Sequence, residues 1–421
     1  MSTTWIRPRL GSRTGMLLGA SGLILTVVIT FLATRSPIAA LSILGAAGVT
    51  LVALQAPHWV LALGILLTLA GGDYATYSTA GGLILALGAF AGGMGAIARR
   101  RSLPLRKALW PTLLLAYFAI RVGVAGDLST TIDIVKCLST VALVVICAAE
   151  RDKLVVAMGL TGLGFLVASG FLGENNALGT RFTGISGNSN RMVFAILVFL
   201  PFLLSLMRRN RALPLRILAS SGIVASLVLV AASGSSQGLV GLGAIILVIL
   251  LRGLFAFQGG VRTMILVAIF TALVLLVDPI LRVIRGSEDL STLSGRTPLY
   301  AAAWDVIKQN PWIGNGLQSV SSNGVIDRSA HSAILSLASS GGVFLGLAWL
   351  ALMFALVVQT LRLCRMGDPL AAAAFVFVVE QLVQSVHLLS LSWFVVAFFT
   401  VATPKASTQY EEPSFPRKAL P

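Results

Sequence analysis

Apolar residues run through this chain in blocks of roughly 17–22, the length a helix needs to cross a bilayer, broken by short polar turns. The blocks lie near 14–33, 37–54, 57–72, 80–98, 108–126, 131–149, 153–172, 191–207, 215–232, 238–254, 263–282, 333–361, 369–386 and 388–403. In lipid a backbone must satisfy its own hydrogen bonds, so each block is expected to be a helix. The last two blocks are short, which sets the count at 12 to 14. The pattern predicts an all-α fold, a polytopic transmembrane helical bundle with residues 1–403 as a single integral membrane domain. The first block leads into the next without a small-x-small cleavage site and is expected to remain as the first span. Residues 404–421 (PKASTQYEEPSFPRKALP) are Pro-rich and polar and are read as a disordered cytoplasmic tail. No internal repeat suggests the two related halves of a transporter.

Composition agrees: 57% of the residues are hydrophobic, 11% are charged and mean hydropathy is +0.92. The net charge of +16 would suggest nucleic acid in a soluble protein, but here Lys and Arg sit in the short turns, as the positive-inside rule predicts. With Arg7, Arg9 and Arg13 in the cytoplasm, every second turn carries the basic residues. These are Arg99, Arg100, Arg101, Arg106 and Lys107; Arg151 and Lys153; Arg208, Arg209, Arg211 and Arg216; Arg252 and Arg262; Arg362 and Arg365; and the tail's Lys405, Arg417 and Lys418. Both termini are therefore expected in the cytoplasm, and nucleic acid is not an expected partner. Cys137, Cys147 and Cys364 lie in or beside apolar blocks, without metal spacing, and read as packing residues.

Two segments on the opposite side break the pattern. One is the loop 173–190, GENNALGTRFTGISGNSN; the other is 283–332, the longest polar stretch and the main extracytoplasmic loop. Within the second, Thr297-Pro298 reads as an N-cap and N1 pair. Leu299, Ala302, Ala303, Val306 and Ile307 follow at helical spacing, and Asn310-Pro311 ends the run. The expectation is a short amphipathic helix on the outer membrane surface, with Tyr300 and Trp304 at headgroup level.

Of the three histidines, His58 and His387 sit at span boundaries and read as structural. His331 closes the long outside loop just before a span, on the side that holds several arginines, and is the candidate for chemistry. Arg181, Arg191, Arg282 and Arg296, with Arg285 and Arg328 nearby, lie where the charge rule makes arginine scarce. Membrane-mouth charges are costly and mark ligand or ion paths, and a guanidinium is a planar fork of donors suited to phosphate oxygens. The competing reading is that they cap helices or pair with Glu174, Glu288 or Asp289. Ser233-Gly-Ser-Ser-Gln237 is a further outside turn, with a structural reading as a polar connection. Gly19-Ala-Ser-Gly22 in the first block reads as helix packing rather than a serine protease. No carboxylate pair, Cys/His metal cluster or P-loop is present, so no metal and no cofactor are expected.

Taken in order, residues 175–350 resemble the O-antigen ligase and O-antigen polymerase superfamily of bacterial envelope glycosyltransferases. Arg181-Phe-Thr-Gly184 with Gly187-Asn188-Ser-Asn190 is similar to its R-x-x-G…N-x-N stretch, and the Ser-rich turn 233–237 follows. Ser294-Gly295-Arg296, through Trp304 and Ile307 to Asn310-Pro311-Trp-Ile-Gly314-Asn-Gly316, resembles G-R…W…P-x-x-G-x-G. Ala330-His331, with Leu335 and Gly342, resembles H-N-x-x-L…G. The chain departs from the family at Gln237, where Arg is frequent, at Ser332, where Asn is, and at Ser340, where Glu is.

The resemblance implies a donor glycan on undecaprenyl diphosphate, a glycan or glycolipid acceptor, and residence in the bacterial plasma (inner) membrane among its lipids. It implies that Arg181, Arg191 and Arg296 hold the diphosphate, supported by Asn188, Asn190, Gln237 and Arg328. His331 would be the base, in a metal-independent transfer. A transporter or flippase of lipid-linked glycan, and a non-catalytic scaffold, are the competing classes. A transporter predicts charges buried mid-span, and a scaffold has no need of the outside arginines.

Overall fold

The computed structural model describes residues 37–70, 75–125, 128–175, 181–209, 212–254, 296–316, 332–384 and 389–402. The expected spans 14–33 and 263–282 lie outside these residues. What is described is an all-α bundle. The helices are α1 (Pro37–Gln55), α2 (Pro57–Thr68), α3 (Ala75–Ala98), α4 (Leu105–Ala125), α5 (Leu128–Cys147) and α6 (Arg151–Leu172). After them come α7 (Ser189–Arg209), α8 (Leu213–Ala232), α9 (Ser236–Leu254), α10 (Arg296–Gln309), α11 (Ala333–Gly341), α12 (Val343–Arg365), α13 (Ala371–Val383) and α14 (Ser390–Val401). Five apolar helical runs among the described residues are long enough to cross a membrane: Thr76–Ala98, Thr131–Leu172, Ser189–Arg209, Leu213–Ala232 and Val343–Arg365. The second of these continues from α5 to α6 through the 3-10 turn Ala148–Glu150.

Helix α7 forms the centre. Its side chains from Met192 to Leu203 are almost all buried, because α6, α8, α9 and α13 surround it. Helices facing lipid have no such requirement, and α8 exposes Ile217, Val224, Leu227 and Val228. Small residues allow the close approaches: a Cβ at Gly162 would come 2.8 Å from Phe199 Cβ, where α6 crosses α7.

The two ends of the bundle differ. At one, here the basic end, Arg101 and Lys153 bridge to Glu150 at 3.0 and 3.3 Å, Arg151 bridges to Asp368 at 2.9 Å, and Arg209 meets Asp152. Buried His58 also lies there, with its Nδ1 3.8 Å from Glu150. The other end carries the loop that follows α6, the α8–α9 turn and the connections around α10 and α11; it is the loop end.

Two expectations need correction. The apolar block 333–361 is not one helix: it breaks at Gly342 into α11 and α12. The amphipathic helix is present as α10, but its apolar face is not turned to a membrane surface. Leu299, Ala303, Val306 and Ile307 are buried, with α10 packed against α11, while Trp304 is exposed. Packing on protein covers the stripe that the sequence assigned to lipid. The last two helices are short, 13 and 12 residues, as the pattern indicated.

The three cysteines are free and buried, so a single added cysteine reports on one position. Gln309→Cys at the loop end is expected to react with a membrane-impermeant maleimide from the outside of cells, and Ser102→Cys at the basic end is expected to be protected. The reverse pattern would invert the orientation.

Candidate functional site

The loop end is assembled from turns that the sequence spaces far apart. After α6 the chain makes a short antiparallel hairpin, β1 (Glu174–Asn175) against β2 (Phe182–Gly184). Thr183 Oγ1 donates to Glu174 O at 2.8 Å and fastens it. Gly184 has φ +56°, and a Cβ there would come 2.6 Å from Met192 Sδ, so glycine lets the hairpin seat on α7. Asn188 then caps α7: its Oδ1 accepts from the backbone N–H groups of Asn190 and Arg191 at 3.0 and 3.1 Å. The motif from Arg181 to Asn190 is thus a hairpin followed by an N-cap, and it carries Arg191 into the first turn of α7.

The Ser-rich turn meets this motif. Ser235 Oγ donates to Asn190 Oδ1 at 2.7 Å. Ser233 Oγ donates to Val230 O at 2.6 Å and accepts from the Ser235 N–H at 3.2 Å, which shapes the turn between α8 and α9. The Arg181 side chain passes over Gly234, whose ideal Cβ position is 3.8 Å from Arg181 Cγ. Gln237, in the first turn of α9, is buried. The structure therefore brings Arg181, Asn188, Asn190 and Arg191 together with the Ser-rich turn that leads into Gln237. Arg181 is exposed and Arg191 is half-buried.

The third motif is a clamp. Asn310 O accepts from the Gly314 N–H at 2.9 Å, and Asn310 and Asn315 bond through their side chains. The Asn315 and Gly316 N–H groups donate to Ser339 O and Ser340 O at 2.9 and 3.0 Å, and the Val343 N–H donates to Pro311 O at 2.7 Å. The turn after α10 thus takes up backbone groups released where α11 ends, and this is why the helix breaks there. Gly314, Gly316 and Gly342 have φ +68°, +90° and +88°. On the other side Tyr117 of α4 donates its hydroxyl to Gly341 O at 2.7 Å.

Arg296 is the first residue of α10. His331 and Arg328 lie outside the described residues; Ser332, adjoining His331, is buried at the start of α11.

Sequence reasoning missed several polar groups inside apolar blocks. Asp133 and Lys136, on α5, form an ion pair at 3.0 Å, and Lys136 Nζ donates to Ser78 Oγ of α3 at 3.2 Å. On α13, Glu380, Gln381 and Gln384 are buried, and Glu380 Oε1 approaches α9 where Gly241 has no side chain, 3.0 Å from the ideal Cβ position. The signal was available: charged or amide groups inside a span are expensive and need a reason.

No curated protein matches the chain. The model of the family described as O-antigen ligase matches residues 221–350, from the middle of α8 through the Ser-rich turn, the clamp and α11 into α12, and this match supports the resemblance to the O-antigen ligase and polymerase superfamily.

Proposed function

We propose that this chain is a membrane glycosyltransferase of the O-antigen ligase or polymerase type, working at the outer face of a bacterial plasma membrane. The donor is a glycan on undecaprenyl diphosphate. Arg181, Arg191 and Arg296 hold the diphosphate and stabilise the charge that builds on it as it leaves. His331 accepts the proton of an acceptor hydroxyl, the general-base role that histidine fills most often. The acceptor oxygen attacks the anomeric carbon, the bond from that carbon to the phosphate oxygen breaks, and the lipid diphosphate departs with the electron pair. The chemistry assigned here uses no metal. A polymerase or general glycan transferase is favoured over a ligase to lipid A, since the polar loops are short for docking so large an acceptor.

The observation that carries this reading is the meeting of two motifs far apart in the chain, Asn190 with Ser235 and Arg181 with Gly234, beside Arg191. A scaffold has no need to gather arginine and amide donors at one end. The direct test is glycan transfer from undecaprenyl-diphosphate glycan by the purified protein in nanodiscs; movement of intact donor across the bilayer without transfer would favour a flippase instead. Arg191→Ala is expected to weaken donor binding roughly 10- to 100-fold, the loss of hydrogen bonds to a charged group worth about 1.5–3 kcal/mol. Arg191→Lys, a point charge without the fork, should recover only part of that. Unchanged affinity in Arg191→Ala would remove the donor site from this end of α7.

A further inference from the structure

We propose that the turn 311–316 is a membrane anchor: Trp312 and Ile313 insert among the lipids of the outer leaflet, beside Phe344 of α12. The inference requires that α12 crosses the membrane and does not depend on the donor-site reading.

Two adjacent large apolar side chains are out of place in a turn of proline, glycine and asparagine. In Pro311-Trp-Ile-Gly314-Asn-Gly316 they stand clear of the bundle, Trp312 66% and Ile313 61% exposed. The backbone of the turn is held from its other side. Pro311 O accepts from the Val343 N–H, and Trp312 O lies against Gly342. Backbone at the edge of a bilayer has to satisfy its polar groups internally. This turn is prepared for that: Pro311 has no N–H, and the N–H groups of Gly314, Asn315 and Gly316 donate to the carbonyls of Asn310, Ser339 and Ser340.

The depth follows from α12. Its exposed Phe344, Leu347, Leu350 and Phe354 form one stripe, and Leu345, Trp349, Leu352 and Leu356 are buried on the other side. On a helix that crosses a bilayer such an apolar exposed stripe faces lipid. At the far end of α12, Arg362 and Arg365 mark the headgroup level of the basic side. Phe344 precedes Arg362 by 18 positions, roughly 27 Å at ~1.5 Å per residue, against a hydrocarbon core about 30 Å thick. Phe344 therefore sits at the outer boundary of the hydrocarbon. The Trp312 ring lies 5.5 Å from the Phe344 ring and carries the stripe past the end of the helix, to the level where tryptophan is favoured. Trp312, Ile313, Phe344 and Leu347 offer no charge and no amide, so the patch suits lipid rather than a glycan, whose hydroxyls need hydrogen-bond partners. Helix α10 supplies the contrast, since its exposed side carries the Asp305–Lys308 ion pair and Gln309, groups that belong in water. Its own apolar stripe is used on α11, and the contact with the membrane passes to the turn that follows it.

The test is a depth measurement. In the full-length protein, Trp312→Cys, Ile313→Cys and Gln309→Cys are each labelled with the fluorophore NBD and placed in nanodiscs of phosphatidylethanolamine and phosphatidylglycerol. The unmodified protein, whose three cysteines are buried, gives the labelling background. Quenching is read with iodide in the water and with a nitroxide on the lipid acyl chain near the headgroup. Labels at 312 and 313 should be quenched several-fold more strongly by the lipid nitroxide than the label at 309, which iodide should reach instead. If Trp312→Cys does not fold, position 313 decides alone. A label at 313 as open to iodide as the label at 309 would overturn the anchor. Protection from both quenchers would mean that protein covers the patch and would also overturn it; protection confined to discs holding two copies would identify a second copy as the cover. None of these readings involves the donor, so the donor site stands or falls separately.

Discussion

His331→Ala is expected to lower glycan transfer by roughly 10²–10⁴-fold, the range for loss of a positioned general base, with donor binding and insertion into the membrane kept. The separation follows from the division of labour proposed above, in which arginines hold the diphosphate and the histidine handles the acceptor proton. His58→Ala provides the contrast. That side chain is buried at the basic end, 3.8 Å from Glu150, far along the bundle from the loop end, and its replacement should affect activity only as far as it affects the amount of folded protein. The measurement is initial rate of transfer from undecaprenyl-diphosphate glycan at matched amounts of purified protein, together with donor affinity. Turnover near that of the unmodified protein in His331→Ala would end the general-base assignment; a loss of rate in proportion to protein level would make the residue structural.

Gly342→Ala is expected to be strongly destabilising, because it adds both backbone strain and a clash with backbone. The residue has φ +88° and ψ 168°, a region open essentially to glycine alone, at a cost of about 1–3 kcal/mol for any other residue. The new Cβ would also sit 2.1 Å from Trp312 O, inside backbone that is fixed by the Val343–Pro311 and Gly316–Ser340 hydrogen bonds. The clamp must open or α11 must shift, so both thermal stability and transfer should fall together. Gly243→Ala is the control: it is helical, nothing lies within 4 Å of its Cβ position, and alanine is the better helix former. Thermal unfolding of the two purified variants checks the contrast, and a Gly342→Ala protein as stable as Gly243→Ala would show that the clamp does not hold the helix break.

The same clamp explains which parts of the molecule could be read from sequence. Spans were legible because hydropathy is local: the blocks 37–54, 153–172 and 191–207 correspond to α1, α6 and α7 with small shifts at the ends. The amphipathic helix was legible from its spacing, and Arg296–Gln309 lies close to the expected limits. What covers its apolar stripe was not legible, because the same stripe suits a lipid surface or a neighbouring helix. The break at Gly342 was hidden for a related reason: both sides are apolar, and the partners that make the break possible come from residues 311–316. Among site residues, Arg181, Asn190 and Arg191 stood out as polar groups in a polar loop or at its edge. Lys136 and Glu380 were hidden among apolar neighbours, and what they meet, Ser78 and Gly241, lies in no local window.

Below the loop end stands a column of rings. Phe377 of α13 lies 6.4 Å from Phe194 and 6.5 Å from Trp349, and Trp349 lies 5.5 Å from Trp393, with both indoles buried. Phe194 is one turn beyond Arg191 on α7, and Trp349 is two turns beyond Gly342 on α12. The helix that carries the arginine and the helix that anchors the clamp therefore lean on one shared post. Effects of substitutions add when the sites have no common partner, and these two sites have one. Their energies are expected to couple: narrowing the post at Phe377 should be felt at Arg191 and at the start of α12 alike.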